Sequence, residues 1–296
     1  MSYALRCRRW RTVNSRESGG GDAAYTRLMS ASTEAFRDLH RSGTFIIPNP
    51  YDTGSARLLE TLGFSALATT SAGFAATLGQ LDMTVTRTQL VDHIASLTSA
   101  TTVPLNVDAE RCFAATAANI AETVEMFATA GAAGFSIEDW DPVAGRIDDL
   151  ETARSRMLAA SEAAHASGMV VTARCENHLH DVQDLDNTVL RLQAYVDAGA
   201  DAIYAPGLAQ PADIARVVAI GVPVNVLLLP GGLTVAQLAD LGVRRVSVGG
   251  LLAWAALGAV AAAAQSLLAV GQFDSTTPFL PSPLRNRALA PRSVRA

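Results

Sequence analysis

Val103-Pro104-Leu105-Asn106-Val107-Asp108-Ala109-Glu110-Arg111-Cys112-Phe113 begins as an apolar, β-branched run and ends on two carboxylates. Such a run reads as a buried strand, and one that stops on Asp108 and Glu110 delivers negative charge to one end of a sheet. Carboxylates there need a cation, a proton or an Arg partner, because burying a bare charge is expensive. Oxygens at i and i+2 of a strand end suit a hard divalent ion such as Mg²⁺. Whether other strands end the same way decides the fold.

They do. Moving outward, short apolar runs recur at Phe45 to Asn49, Ala66 to Thr70, Gly134 to Asp139, Val170 to Arg174, Ala202 to Ala205, Pro223 to Leu228 and Arg245 to Gly249. Helical periodicity separates them, at Thr33 to Arg41, Ser55 to Leu62, Gln89 to Thr98, Ala117 to Ala130, Leu150 to Ala166, Asp186 to Ala198, Ala212 to Ala219 and Val235 to Leu241, and a last Ala-rich helix follows. Gly131, Gly199 and Gly242 stand where helices must stop and the chain must turn into the next strand. Strict alternation implies a parallel sheet, and eight units imply a single closed (β/α)₈ TIM barrel over residues 33–273. A doubly wound open sheet is the runner-up, but no G-x-G-x-x-G follows the first strand. Residues 1–32, Arg-rich and interrupted by Gly19-Gly20-Gly21, read as a flexible N-terminal arm; residues 274–296, with Pro278, Pro281, Pro283 and Pro291, read as an irregular tail.

Composition narrows the function. The 296 residues are 49% hydrophobic with a net charge of −5, which argues against a nucleic-acid surface. The apolar stretch from Leu251 to Val270 is read as a packed helix rather than a membrane span. Cys7, Cys112 and Cys175 are too few and scattered for a disulfide framework, so a reducing, cytoplasmic setting is expected. All 23 basic residues are Arg. Without Lys there can be no Schiff-base aldolase chemistry, no covalent pyridoxal phosphate and no Walker-type loop.

Barrel sites form at the C-terminal ends of the strands. Reading only those positions gives Asn49 and Asp52, Thr70 and Ser71, Asp108 and Glu110, Glu138 and Asp139, Arg174 and Glu176, Tyr204, Asn225, and Ser247 with Gly249. Carboxylates from strands three, four and five would converge on one mouth, with one Arg among them.

The chain resembles the isocitrate lyase/phosphoenolpyruvate mutase superfamily from about Phe45 to Phe273. The resemblance rests on Pro-Asn-Pro-Tyr-Asp (48–52), Ala-Thr-Thr-Ser-Ala-Gly (68–73), Leu-Gly-Gln-Leu-Asp (78–82), Asn-Val-Asp-Ala-Glu (106–110), Ser-Ile-Glu-Asp (136–139), Ala-Arg-Cys-Glu-Asn (173–177) and Gly-Val-Arg-Arg-Val-Ser-Val-Gly-Gly (242–250). It implies a Mg²⁺ site, which Mn²⁺ could also fill, with Asp108 as principal carboxylate and Asp82, Glu110 and Glu138 holding the ion through water. It also implies that Arg174 grips the substrate carboxylate and that Thr70, Ser71 and Ala72 form the turn that cradles a 2-oxo acid. A homo-oligomer, dimer or tetramer, with the last helix exchanged between neighbouring barrels, is a further implication. Two departures stand out. The small Gly-aromatic-Gly turn usual after the second carboxylate reads Arg111-Cys112-Phe113-Ala114, whose bulk is expected to narrow or reshape that part of the mouth. The loop after strand four, Glu138 to Arg146, is short and lacks the family's lyase Lys and Cys.

Cys112 is more simply a packed hydrophobe than a proton donor, and strand alternation turns Cys175 away from Arg174 and Glu176. His178 and His180 are the only His near the proposed mouth and could supply an acid or a substrate contact. The expectation is therefore a Mg²⁺-dependent lyase that cleaves a C–C bond beside a pyruvoyl unit, in the manner of an oxaloacetate decarboxylase or a methylisocitrate lyase. Asp108, Arg174, Glu176 and His178 would do the chemistry. Thr70, Ser71, Ala72, Arg174 and Asn225 would bind a small carboxylic acid, and Asp108, Glu110, Glu138 and Asp82 the metal. The alternatives are a phosphonate C–P mutase or hydrolase, and a barrel that binds a metabolite without turning it over. No nucleic-acid or membrane partner is expected.

Overall fold

Phe36 explains how the barrel starts. It lies on helix α1 (described from residue 31 to 39), fully buried, with edge-to-face contacts to His40 and Phe45. Its ring presses so close to Gly134 that a Cβ there would meet Phe36 at 2.8 Å, so only glycine fits. Together with Ile47, Ala66, Ala68, Ala133 and Val170 it forms a small core that closes the N-terminal end of the barrel. The computed structural model describes residues 31–273 and 279–291. The expected N-terminal arm lies almost wholly outside them.

From there the chain alternates as expected: β1 (Phe45–Ile47), α2 (Thr53–Thr61), β2 (Leu67–Ala68), α3 (Ser71–Thr77), α4 (Arg87–Ala100), β3 (Leu105–Asp108), α5 (Ala117–Thr129) and β4 (Gly134–Glu138). A small hairpin, β5 (Trp140–Asp141) and β6 (Arg146–Ile147), then interrupts the pattern. It resumes with α6 (Leu150–Ala166), β7 (Val170–Arg174), α7 (Leu185–Asp197), β8 (Ala202–Tyr204), α8 (Pro211–Val218), β9 (Val224–Leu227), α9 (Val235–Asp240), β10 (Arg245–Ser247) and α10 (Leu251–Val270). α11 (Ser282–Leu289) follows.

Eight strands pair in parallel in the order β1-β10-β9-β8-β7-β4-β3-β2, a nearly closed barrel. The seam between β1 and β2 has no ladder, but the Ala68 N–H donates to the Pro48 carbonyl at 3.0 Å. Asn49 staples the same seam: its Nδ2 donates to the Thr69 carbonyl, and its Oδ1 accepts from the N–H groups of Val248 and Gly249. Asn49 is thus a structural clasp, and Asp52 is the N-cap of α2, bonded to the Ser55 N–H. The main core of Leu, Val, Ile, Phe and Ala lies between the barrel and its helices, and Cys112 and Cys175 sit inside it.

Four local expectations change. α3 occupies part of what reads as a connection, because its Ser-Ala-Gly-Phe-Ala-Ala stretch has little apolar periodicity. The loop after strand four folds into the β5–β6 hairpin, where Asp141 Oδ1 accepts from the N–H groups of Val143 and Ala144 to make the turn. The irregular tail contains α11, begun by prolines at its first turn, where the missing N–H costs nothing. It packs on α2, with the Arg57 guanidinium bonded to the Ala290 carbonyl. Finally, α10 is not packed around: only Ala253 and Ala263 are buried, while Trp254, Leu257, Val260, Leu267, Leu268 and Val270 are exposed.

Candidate active site

Three carboxylates, Asp108, Glu138 and Glu176, converge on the Arg174 guanidinium because β3, β4 and β7 lie side by side and end together. Register places Glu138 opposite Arg174. Arg174 Nη1 donates to Asp108 Oδ1 at 2.7 Å and Nε to Glu176 Oε1 at 2.9 Å, and Nη2 lies 3.2 Å from Glu138 Oε2. Its guanidinium also lies 5.4 Å from the centre of the Tyr204 ring. Asp108 is fixed from the β2 side, where the Ser71 N–H donates to its Oδ2 at 3.1 Å and its own N–H donates to Thr69 Oγ1 at 2.8 Å. Thr70 caps α3.

Burial raises the Glu138 and Glu176 carboxyls above the usual range, against the pull of Arg174. Glu110 is pushed up to about 8, by burial first and then by Asp108 and Asp82, with Arg174 opposing. Burial works against the Arg174 charge, yet Glu176, Glu138 and Asp108 hold it well above its ordinary value. The group carries more negative than positive charge, and all its donors are hard oxygens, so the residues fit Mg²⁺. Among the described residues no three His, Cys, Asp or Glu side chains come together as a direct cage. An ion here would therefore keep much of its water, as the water-held roles of Asp82, Glu110 and Glu138 require.

A cavity of about 170 Å³ opens beside this cluster. It brings together seven of the expected residues: Thr70, Ser71, Ala72, Asp82, Asp108, Arg174 and Asn225. Glu138 and Glu176 stand behind Arg174, and Glu110 is buried beside Asp108. His178 is not brought in: its ring is bonded to Thr188 Oγ1 at 3.0 Å and to Gln183 Oε1 at 3.3 Å, which ties the β7–α7 connection to α7. Asp139 also points away, accepting from the Tyr195 hydroxyl at 2.6 Å and the Glu176 N–H at 2.8 Å. Adjacent strand residues face opposite sides, so Glu138 and Asp139 cannot share the lumen.

The turn after Glu110 behaves differently from expectation. Glu110, Cys112 and Phe113 all have positive φ (47°, 59° and 50°), a region where a side chain costs roughly 1 kcal/mol or more each. A glycine-bearing turn would adopt this backbone freely. Arg111 holds it in place: a bidentate contact to Asp148 at 2.8 and 3.0 Å, a second carboxylate at Asp141, and its carbonyl accepting from Arg156 at 2.6 Å. The turn sends its side chains outward, so Arg111, Cys112 and Phe113 do not line the cavity and do not narrow it. Cys112 is fully buried and its thiol is pushed up to about 12 by burial, against Arg156.

Sequence reading missed Arg245 on the cavity floor. Its signal was parity: it lies two residues before Ser247, so both face the lumen while Arg244 turns out.

A family model described as phosphoenolpyruvate phosphomutase matches residues 36–268. A solved Burkholderia cenocepacia J2315 protein, provisionally described as a lyase/mutase, is 47% identical with a TM-score of 0.85, covering 90% of this chain and 98% of that one. An oxaloacetate decarboxylase of Bradyrhizobium diazoefficiens is 32% identical over 57% of this chain and 60% of its own length. A phosphonopyruvate hydrolase, solved with oxalate and Mg²⁺, is 26% identical with a TM-score of 0.75, covering 85% of this chain and 92% of that one.

Proposed function

The chain belongs to the phosphoenolpyruvate phosphomutase family, within the phosphoenolpyruvate mutase/isocitrate lyase superfamily, and from that premise we propose that it is a Mg²⁺-dependent lyase. It cleaves a C–C bond beside the pyruvoyl unit of a small 2-oxo or 2-hydroxy diacid. The observation that carries this reading is the carboxylate cluster, with its net negative charge and its single Arg174, opening on a polar cavity large enough for such an acid.

Asp108, with Asp82, Glu110 and Glu138 around it, would hold the ion, which supplies a Lewis acid against charge developing on the 2-oxygen. Arg174 fixes Asp108, Glu138 and Glu176 and borders the substrate carboxylate. Thr70, Ser71 and Ala72 form the wall on the opposite side, and Asn225 lies below. Cleavage of a 2-oxo diacid sends the electron pair of the breaking bond into the 2-oxo group as an enolate, and a proton from water at the open mouth then gives the methyl group of pyruvate. In a 2-hydroxy diacid the hydroxyl loses its proton to water and becomes the 2-oxo group of the product, while the electron pair goes to the carbon beside the distal carboxylate and is protonated there by water. No Lys or Cys lines the cavity, so water is the acid this reading assigns. Release of pyruvate from a panel of 2-oxo acids, 2-hydroxy diacids and phosphonates, with and without Mg²⁺, tests the proposal. Metal-independent turnover, or release only from phosphonates, would refute it.

The exposed apolar face of α10 supports a soluble homo-oligomer in which a second copy covers that helix. Mass by light scattering, for the wild type and for Val260→Glu with Leu268→Glu, is the check. Oligomeric mass retained by the double variant, or recovery of wild type only with membranes, would count against it.

A further inference from the structure

Arg245 is buried at the floor of the cavity, at the start of β10. Nε donates to Asn225 Oδ1 at 2.9 Å, Nη2 to Thr172 Oγ1 at 2.9 Å, and Nη1 lies 3.4 Å from His40 Nε2. His40 Nδ1 is 2.8 Å from the Phe36 carbonyl, which can only accept, so Nδ1 carries the proton and Nε2 receives Arg245. All three partners are neutral. Arg156, buried as Arg245 is, and the half-buried Arg111, Arg174 and Arg191 each stand within 4 Å of a carboxylate. Arg245 has no carboxylate partner among the described residues. Burial pushes it down only to about 10, so it stays charged at neutral pH. Two of its five N–H groups have no partner among the described residues.

A full charge left without a counter-ion on the wall of a cavity is costly unless an anion arrives. Arg174, at the mouth, is already surrounded by carboxylates. We propose that Arg245 holds a second anionic group of the substrate, a carboxylate remote from the 2-oxo or 2-hydroxy acid end at the mouth. The inference rests on the reading of the cavity as the substrate site, and it sharpens that reading. A guanidinium stabilises a carboxylate more than neutral CO₂, so the group it holds is one that stays on the product. That favours retro-aldol cleavage of a hydroxy diacid over loss of the distal carboxylate as CO₂.

Lactate and malate differ only by the distal carboxylate, and titration calorimetry of each, in Mg²⁺, on the full chain is the test. The expected result is that wild type binds malate roughly tenfold or more tighter than lactate. Arg245→Met should reduce that ratio to about one while leaving lactate binding unchanged, and Arg245→Lys should restore part of it. An unchanged ratio in folded Arg245→Met overturns the inference while leaving the cavity as the substrate site. Absence of binding by both acids in wild type overturns the site itself. Should Arg245→Met not fold, a wild-type structure with malate decides: a malate carboxylate on the Arg245 N–H groups is expected, and malate bound clear of Arg245 overturns it.

Discussion

Arg174 and Arg245 stand at opposite ends of one lumen in opposite surroundings. Arg174 is over-neutralised, with Asp108, Glu138 and Glu176 at 2.7 to 3.2 Å. Arg245 is solvated entirely by neutral groups: Asn225, Thr172 and His40. The same residue type therefore does two jobs. At the mouth it organises acids that still want a cation; at the floor it leaves a positive charge for something else to meet. The lumen is polarised along its axis, negative above and positive below.

Removing the upper charge should do most damage. Arg174→Ala leaves Asp108, Glu138 and Glu176 without their cation, and we expect kcat/KM for pyruvate release to fall at least a hundredfold, about 2.7 kcal/mol. Activity within tenfold of wild type would mean that the mouth is organised otherwise.

The mouth's appetite for a cation can be measured without turnover. Mg²⁺ at about a hundredfold excess over its dissociation constant should stabilise the wild type by about 2.7 kcal/mol, and Asp108→Ala should lose that increment in thermal denaturation. Equal stabilisation of both proteins would remove Asp108 as the main ligand.

The floor answers to acid. Burial first, and then Arg245, depress His40 from 6.5 to about 3. A depressed folded pKa makes stability complete above 6.5 and erodes it as pH falls towards 3, because the unfolded chain takes up the proton first. By pH 5 the loss is about 2 kcal/mol. Denaturation midpoints between pH 7 and pH 5 should therefore fall less for His40→Gln than for wild type; parallel slopes would show that His40 is not held neutral against Arg245.

The smallest effect is expected at Cys112, which belongs to neither end. Cys112→Ser should keep kcat within about tenfold, below roughly 1.4 kcal/mol. A loss matching Arg174→Ala would make the thiol part of the chemistry.

The barrel was legible because its strands are apolar runs that end on polar residues, and because Gly131, Gly199 and Gly242, with φ of 98°, 98° and 88°, stop helices where they should. Asp108, Glu138, Glu176 and Arg174 were legible for the same reason: strand ends of a parallel barrel share one mouth. What could not be read was direction within loops. His178 lies four residues beyond a strand, where parity no longer applies, and it turned to Thr188 rather than inward. Asp139 was readable in principle, since it alternates with Glu138. Arg245 entered the sequence reading only as part of the 242–250 motif, and its register with Asn225 places it inside. α11 hid behind prolines that break helices in the middle but begin them at the first turn.

The hairpin beyond β4 has an optical consequence. Trp140 lies flat on His180, ring centroids 3.4 Å apart and planes within 6° of each other, so the rim of the mouth contains an indole in contact with an imidazole. A protonated imidazole takes an electron from an excited indole and quenches it. Burial lowers His180 from its ordinary value, with Asp139 and Asp181 pulling the other way, so Trp140 dims at a lower pH than it would beside a free imidazole. Trp254, half exposed on α10, emits from the opposite kind of place. Among the described residues, one emission spectrum thus carries two reporters, one on the seating of the hairpin and one on whatever covers the outer helix.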